Sequence, residues 1–122
     1  MSIATIAMIL ASISLSVSAQ LTLKHGMNTE GVREAIGAGF FYSVGAVITS
    51  IPVLLGFLLY GASSAIWLVV LSRTEVSPAY PFVGLGIICT TLFARLILHE
   101  PLTPAKIIGS LCILVGILVV CK

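Results

Sequence analysis

Long apolar runs alternate with short polar breaks along this chain, at spacings that suit helices crossing a membrane. No charged side chain occurs from Ser2 to Leu23, and none from Ala35 to Ser72. Lipid offers no partner for a charge or an unpaired backbone amide, so such runs must become helices that satisfy their own hydrogen bonds. A spanning helix needs roughly 20 apolar residues. The first span is therefore expected at 3–23, stopped by Lys24, His25 and Gly26. A polar loop follows, with Asn28, Thr29, Glu30, Arg33 and Glu34.

The run from Ala35 to Ser72 is too long for one helix across about 30 Å of hydrocarbon and barely long enough for two. Pro52 divides it, because proline is comfortable in a first helical turn. The second span is placed at 51–71. The stretch Gly37 to Ser50, with Phe40, Phe41 and Tyr42, becomes a short interfacial or re-entrant helix, since aromatic rings favour headgroup depth. Arg73, Thr74 and Glu75 make a tight turn before a third span at 77–98, whose Pro78 and Pro81 sit in its first turns. Thr103 caps a fourth span at 104–120, with Pro104 at its first position. The expected fold is an all-α integral membrane bundle of four transmembrane helices, forming one domain over 1–122.

Composition agrees with this reading. Only 8% of the 122 residues are charged, and the mean hydropathy is +1.23. A net charge of +2 without clustered Lys and Arg gives no nucleic-acid signal. The first segment lacks the basic start of a signal peptide and its apolar stretch is too long, so a retained helix is expected. Cys89, Cys112 and Cys121 show no metal or redox spacing and are read as small packing residues. Lys24, Arg33, Arg95 and Lys106 flank the first and third loops, against Arg73 and Lys122 on the opposite side. That bias places loops one and three in the cytoplasm.

With most of the chain in lipid, its function rests on the few polar groups left there. Ser12, Ser16 and Gln20 share one face of the first helix, and Ser14, Ser18 and Thr22 share another. Small residues let membrane helices pack closely, and a polar stripe can also line a cavity. For Gln20, a large amide, cavity lining is favoured. Gly109 and Gly116 lie seven residues apart on one face of the fourth span and read as a packing surface between subunits. Gly84 and Gly86 follow the two prolines and let the third span bend, as interrupted transporter helices do. Arg95 can snorkel to the interface, or it can join Lys24 in holding an anionic headgroup. Glu100 can pair with either cation or carry a proton. No acidic residue falls inside a span.

The pattern L-S-R-T-E-V-S-P-A-Y-P-F from Leu71, then H-E-P-L-T-P-A-K-I-I-G from His99 and a glycine at 116, resembles the drug/metabolite transporter superfamily. That superfamily includes four-span small multidrug resistance exporters and EamA-type carriers. The A-Q-L-x-x-K of Ala19 to Lys24, the A-Y-P of Ala79 to Pro81 and the H-E-P of His99 to Pro101 are most similar to the small subunits of the 4-amino-4-deoxy-L-arabinose-phosphoundecaprenol flippase. The exporters carry an embedded glutamate that binds cation and proton in turn, and the matching position here is Ser16. Two of their substrate-lining tyrosines persist as Tyr60 and Tyr80, while their third-span tryptophan becomes Val83. Without a buried carboxylate, a cationic drug lacks a counter-charge and a proton lacks a tunable site.

The resemblance implies movement of a polyprenyl-phosphate-linked sugar or similar anionic lipid-linked metabolite across the inner membrane. Ser12, Ser16, Gln20, Lys24, Tyr60, Tyr80, Arg95 and Glu100 are then the substrate-binding candidates. It also implies a homodimer, or a heterodimer with a similar four-span subunit, packed through Gly109 and Gly116. The alternatives are a small-solute or drug exporter driven by another ion and a non-transporting accessory subunit. No metal-ligand cluster, nucleophile–base pair or phosphate loop is present in the sequence, so no enzyme activity, metal or cofactor is expected.

Overall fold

A computed structural model describes residues 2–120, and every regular element among them is a helix. Cys121 and Lys122 lie outside the described residues. Helix α1 (Ile3–Met27) begins where Ser2 accepts a hydrogen bond from the Thr5 amide at 3.2 Å. It outruns the expected stop at Leu23 by one turn, because Lys24 and His25 extend the last turn, where positive charge complements the helix dipole.

The polar loop expected after α1 is largely helical instead. Helix α2 (Glu30–Ala38) occupies it, and α3 (Phe40–Thr49) follows as a separate element. Thr29 takes the extended N-cap conformation without a side-chain capping bond, Glu30 places an acid in the first turn, and Val32 buries itself, so an acid matched to the helix dipole and one apolar anchor outweigh the polar composition. Gly39, at φ 137°, divides the pair with a backbone conformation that L side chains rarely adopt. The start of α3 is bare: Phe40, Phe41 and Tyr42 are 75%, 87% and 70% exposed.

Helix α4 (Ile51–Arg73) starts with Pro52 in its first turn. The next arm is broken. A short α5 (Val76–Ala79) passes through a 3₁₀ turn at Tyr80–Phe82 into α6 (Val83–Ile97), where Pro78 and Pro81 remove amide donors. Helix α7 (Pro104–Val120) is capped by Thr103, whose hydroxyl accepts from the Lys106 amide at 3.3 Å. By length and composition, α1, α4 and the arm Val76–Ile97 are long and apolar enough to cross a membrane. Helix α7 is apolar over 17 residues.

Close packing fixes α1 against α4, antiparallel. A Cβ on Gly56 would lie 2.6 Å from Leu23 Cγ, and one on Gly26 would lie 2.7 Å from Val53 Cγ2. The core continues along Ile9, Ile13, Val17, Val70 and Ala79, with Trp67, Phe82, Leu85 and Cys89 against it. Helix α6 runs beside α1, with Gly86 facing Ile13, and α7 packs on α6 where Gly84 meets Ile113 and Ile117. Large apolar side chains such as Leu58, Leu68, Leu96 and Ile108 are exposed around the outside. An apolar exterior over a small interior is the arrangement of a multi-pass membrane protein.

Candidate functional site

The two polar stripes of α1 have separate fates. Ser14, Ser18 and Thr22 are outward, and each hydroxyl donates to the carbonyl four residues back, at 2.8 Å, 2.9 Å and 2.8 Å. Such back-bonding satisfies a hydroxyl facing lipid. The other stripe turns inward. Ser12 is buried and clasps Ser63 of α4, while Ser16 and Gln20 open onto space between α1, α4 and α6.

That space is a crevice made of two adjoining cavities. The larger, about 550 Å³, is lined by Ser16, Val17 and Gln20 of α1, by Tyr60 of α4, and by Val83, Gly86, Ile87, Thr90, Thr91 and Ala94 of α6. The smaller, about 350 Å³, adds Ser12, Ser63, Ser64, Trp67 and Tyr80, and shares Ser16, Tyr60, Val83 and Gly86 with the first. The Trp67 and Tyr80 rings meet edge-on at 6.5 Å at its far end. Between the helices the polar groups of the lining are hydroxyls, the Gln20 amide and aromatic rings, and the smaller cavity has no charged side chain. Such a surface offers hydrogen bonds to a polar, uncharged group such as a sugar.

Charge is confined to one end, where Glu100, Pro101 and Lys106 complete the larger cavity. The end of α6 aims this corner. His99 adopts φ 55°, which turns the chain so that the amides of Leu98 and Glu100 both reach the Ala94 carbonyl, at 3.1 Å and 3.2 Å. Lys106, on the first turn of α7, donates its ammonium to the Pro101 carbonyl at 2.9 Å.

Of the substrate-binding candidates read from the sequence, Ser12, Ser16, Gln20, Tyr60, Tyr80 and Glu100 are brought together along this crevice. Lys24 and Arg95 are not in its lining and are exposed. Both lie at the end of their helices that carries Glu100. Gly109 and Gly116 meet nothing within 4 Å, and Gly26, Gly56 and Gly84 make the close contacts within the chain. Sequence reasoning missed Ser63, Thr90 and Thr91. The threonine pair is visible in the sequence, but nothing there says which way it faces. Lys106 was noted only as a charge near the bilayer, and its place one turn past a capped proline is what turns it to the cavity.

The chain matches the EamA-like transporter family over residues 1–121. It belongs to that family. Among curated relatives, a probable 4-amino-4-deoxy-L-arabinose-phosphoundecaprenol flippase subunit ArnE from Pseudomonas savastanoi pv. phaseolicola is 34% identical over 110 residues, 90% of this chain and 90% of the relative. The protein of the same name from Enterobacter sp. is 44% identical over 64 residues, 52% of this chain and 60% of its own length. That from Pseudomonas syringae pv. syringae is 37% identical over 79 residues, covering 65% and 71% respectively. No solved structure matches the chain significantly. This EamA-like protein is thus a membrane transporter subunit of the drug/metabolite transporter superfamily, with one of the two polar stripes of α1 turned to the crevice.

Proposed function

We propose that this EamA-like chain is a flippase subunit that carries a polyprenyl-phosphate-linked sugar across a bacterial inner membrane. The observation that carries the reading is the crevice itself: neutral hydrogen-bonding groups line its depth and both charges sit at one end. A sugar headgroup needs the first, a phosphate needs the second, and the isoprenoid tail stays in lipid. The relatives named as flippase subunits support the same substrate class.

In this reading α7 is the fourth span and α3 lies at the interface with Phe40, Phe41 and Tyr42 at headgroup depth. The charged end faces the cytoplasm, where headgroups are loaded. Lys24 and Arg95 enrich anionic headgroups around the entrance. The single chain leaves its crevice open, so a second four-span subunit closes it, packed through Gly109 and Gly116 of α7. An antiparallel pair of this kind recreates the inverted repeat of larger carriers, with the site at their interface.

Proteoliposomes holding the chain and its partner subunit provide the test. Exposure of a polyprenyl-phosphate sugar in the far leaflet is expected to depend on the protein and to fall when Gln20 becomes Leu. Protein-independent exposure, together with drug efflux that depends on the chain, would replace the flippase with an exporter.

A further inference from the structure

The crevice is two cavities in series, joined where Ser16, Tyr60, Val83 and Gly86 border both. Going away from Glu100, α1 gives Gln20 and Ser16 to the larger cavity, then Ser16 and Ser12 to the smaller. The smaller one, about 350 Å³, has no charged side chain in its lining. Its Ser12 and Ser63 hydroxyls donate to each other's backbone carbonyls. The donors left for a ligand are therefore the hydroxyls of Ser16, Ser64, Tyr60 and Tyr80 and the indole N–H of Trp67. Trp67 is half-buried and anchored, with one side packed against the core. It meets Tyr80 at an interplanar angle of 71°, and an edge-on contact of that kind occupies at most one ring face of the pair.

We infer that the smaller cavity is a second resting place for the headgroup, in which the sugar ring stacks on the Trp67 indole. Resting on the flippase reading above, this subsite divides transport into two bound states, one in each cavity. The face of an aromatic ring carries negative charge density, which attracts the weakly positive C–H face of a sugar while the nearby hydroxyls bond its rim. A prenyl tail in the same space would leave those donors unpaired, at a cost that a sugar does not meet. Two modest sites in sequence also let the cargo leave, whereas one deep site would hold it. Trp67 stands on α4 and Tyr80 on the 3₁₀ turn of the broken arm, so movement of that arm opens or closes the corner the two rings form.

Trp67 is the single tryptophan of the chain, so its emission reports this cavity alone. The full chain in lipid nanodiscs is titrated with a farnesyl-phosphate-linked pyranose and, separately, with farnesyl phosphate. The sugar-bearing lipid is expected to change the emission saturably and the sugar-free one to leave it unchanged. Equal responses to both, or a response to neither, overturn the inference. In proteoliposomes of the chain with its partner subunit, Trp67→Leu is expected to slow transfer of the sugar-bearing lipid about fivefold, the scale of one lost aromatic contact. Trp67→Phe, which keeps a ring face, is expected to retain most of the rate. A Trp67→Leu rate equal to wild type overturns the subsite while the flippase stands, and so does an equal loss in Trp67→Phe, the mark of a packing role. No transfer by the wild-type protein with the sugar-dependent emission change intact removes the flippase reading and leaves the sugar subsite.

Discussion

Ser12 and Ser63 exchange hydrogen bonds across the α1–α4 interface: the Ser12 hydroxyl donates to the Ser63 carbonyl at 2.9 Å, and the Ser63 hydroxyl returns one to the Ser12 carbonyl at 2.8 Å. Both side chains are buried. In lipid the alternative to such a pair is an unsatisfied hydroxyl or a back-bond to its own helix, so the clasp contributes modestly. Together with the close approaches of Gly26 and Gly56 it makes α1 and α4 one rigid unit. The arm that α6 belongs to is attached differently, through a proline-broken start and a looser contact with α1. Motion during transport is therefore expected between α6 and the α1–α4 pair.

Replacing Ser12 or Ser63 with Ala is expected to lower stability by about 0.5–1 kcal/mol, and the double variant to cost close to the sum, because each hydroxyl donates to a backbone carbonyl that the other substitution leaves in place. Thermal unfolding of the purified protein in detergent measures all three. Single variants that lose no stability would show that the clasp is incidental.

Glycines separate into two groups that substitution distinguishes. Gly56→Ala forces a methyl to within 2.6 Å of Leu23 Cγ, and overpacking of that kind is expected to cost about 1–3 kcal/mol. Gly109→Ala and Gly116→Ala meet open space and are expected to leave the unfolding temperature of the monomer within a degree or two of wild type, since about 0.5 kcal/mol is typical for a surface change. If α7 is the subunit contact, larger residues at those positions lower subunit association measured by crosslinking. Unchanged association on enlarging both would place the contact elsewhere.

Much of this architecture is written in the sequence because charge-free runs and prolines are strong signals in a lipid solvent. Pro52 marks the start of α4, Thr103 and Pro104 mark that of α7, and Pro78 and Pro81 mark the broken arm. The inward turn of Ser16 and Gln20 also follows from their shared helical face. Helix α2 was hidden because its apolar positions Val32 and Ile36 span a single turn of a polar stretch, too short a pattern to stand out beside the spans. Lys106 and Ser63 were hidden for another reason. Periodicity says which residues share a face, but not which neighbouring helix that face meets. The same ignorance of neighbours hid that Lys106 lines the crevice while Lys24 and Arg95 lie outside its lining.

His99 is a residue other than glycine held at φ 55°, where an L side chain costs roughly 1 kcal/mol. His99→Gly is expected to keep the turn and raise the unfolding temperature slightly. His99→Pro, whose ring locks φ near −65°, is expected to abolish the turn and with it the placement of Glu100. Cysteine accessibility at a Glu100→Cys probe in each background reads that placement. Equal labelling in the two would mean that the left-handed turn does not aim the corner.

Capture and recognition should separate experimentally because one acts through long-range charge and the other through a neutral hydrogen bond. Lys24 and Arg95 are exposed, and fields from exposed charges fade over about 10 Å at 0.1 M salt. Lys24→Ala and Arg95→Ala are therefore expected to slow headgroup transport at low ionic strength and to converge on wild type as salt rises. Gln20 lines the cavity beneath the charged corner, where an apolar replacement leaves a sugar hydroxyl unpaired. Gln20→Leu is expected to lower transport by about tenfold, the scale of one lost hydrogen bond, at every salt concentration. Rates for each variant, taken across a salt series in the same proteoliposomes, decide the matter. A salt-dependent Gln20→Leu defect would move that amide from the binding surface to the entrance, and a salt-independent Lys24→Ala defect would move the lysine the other way.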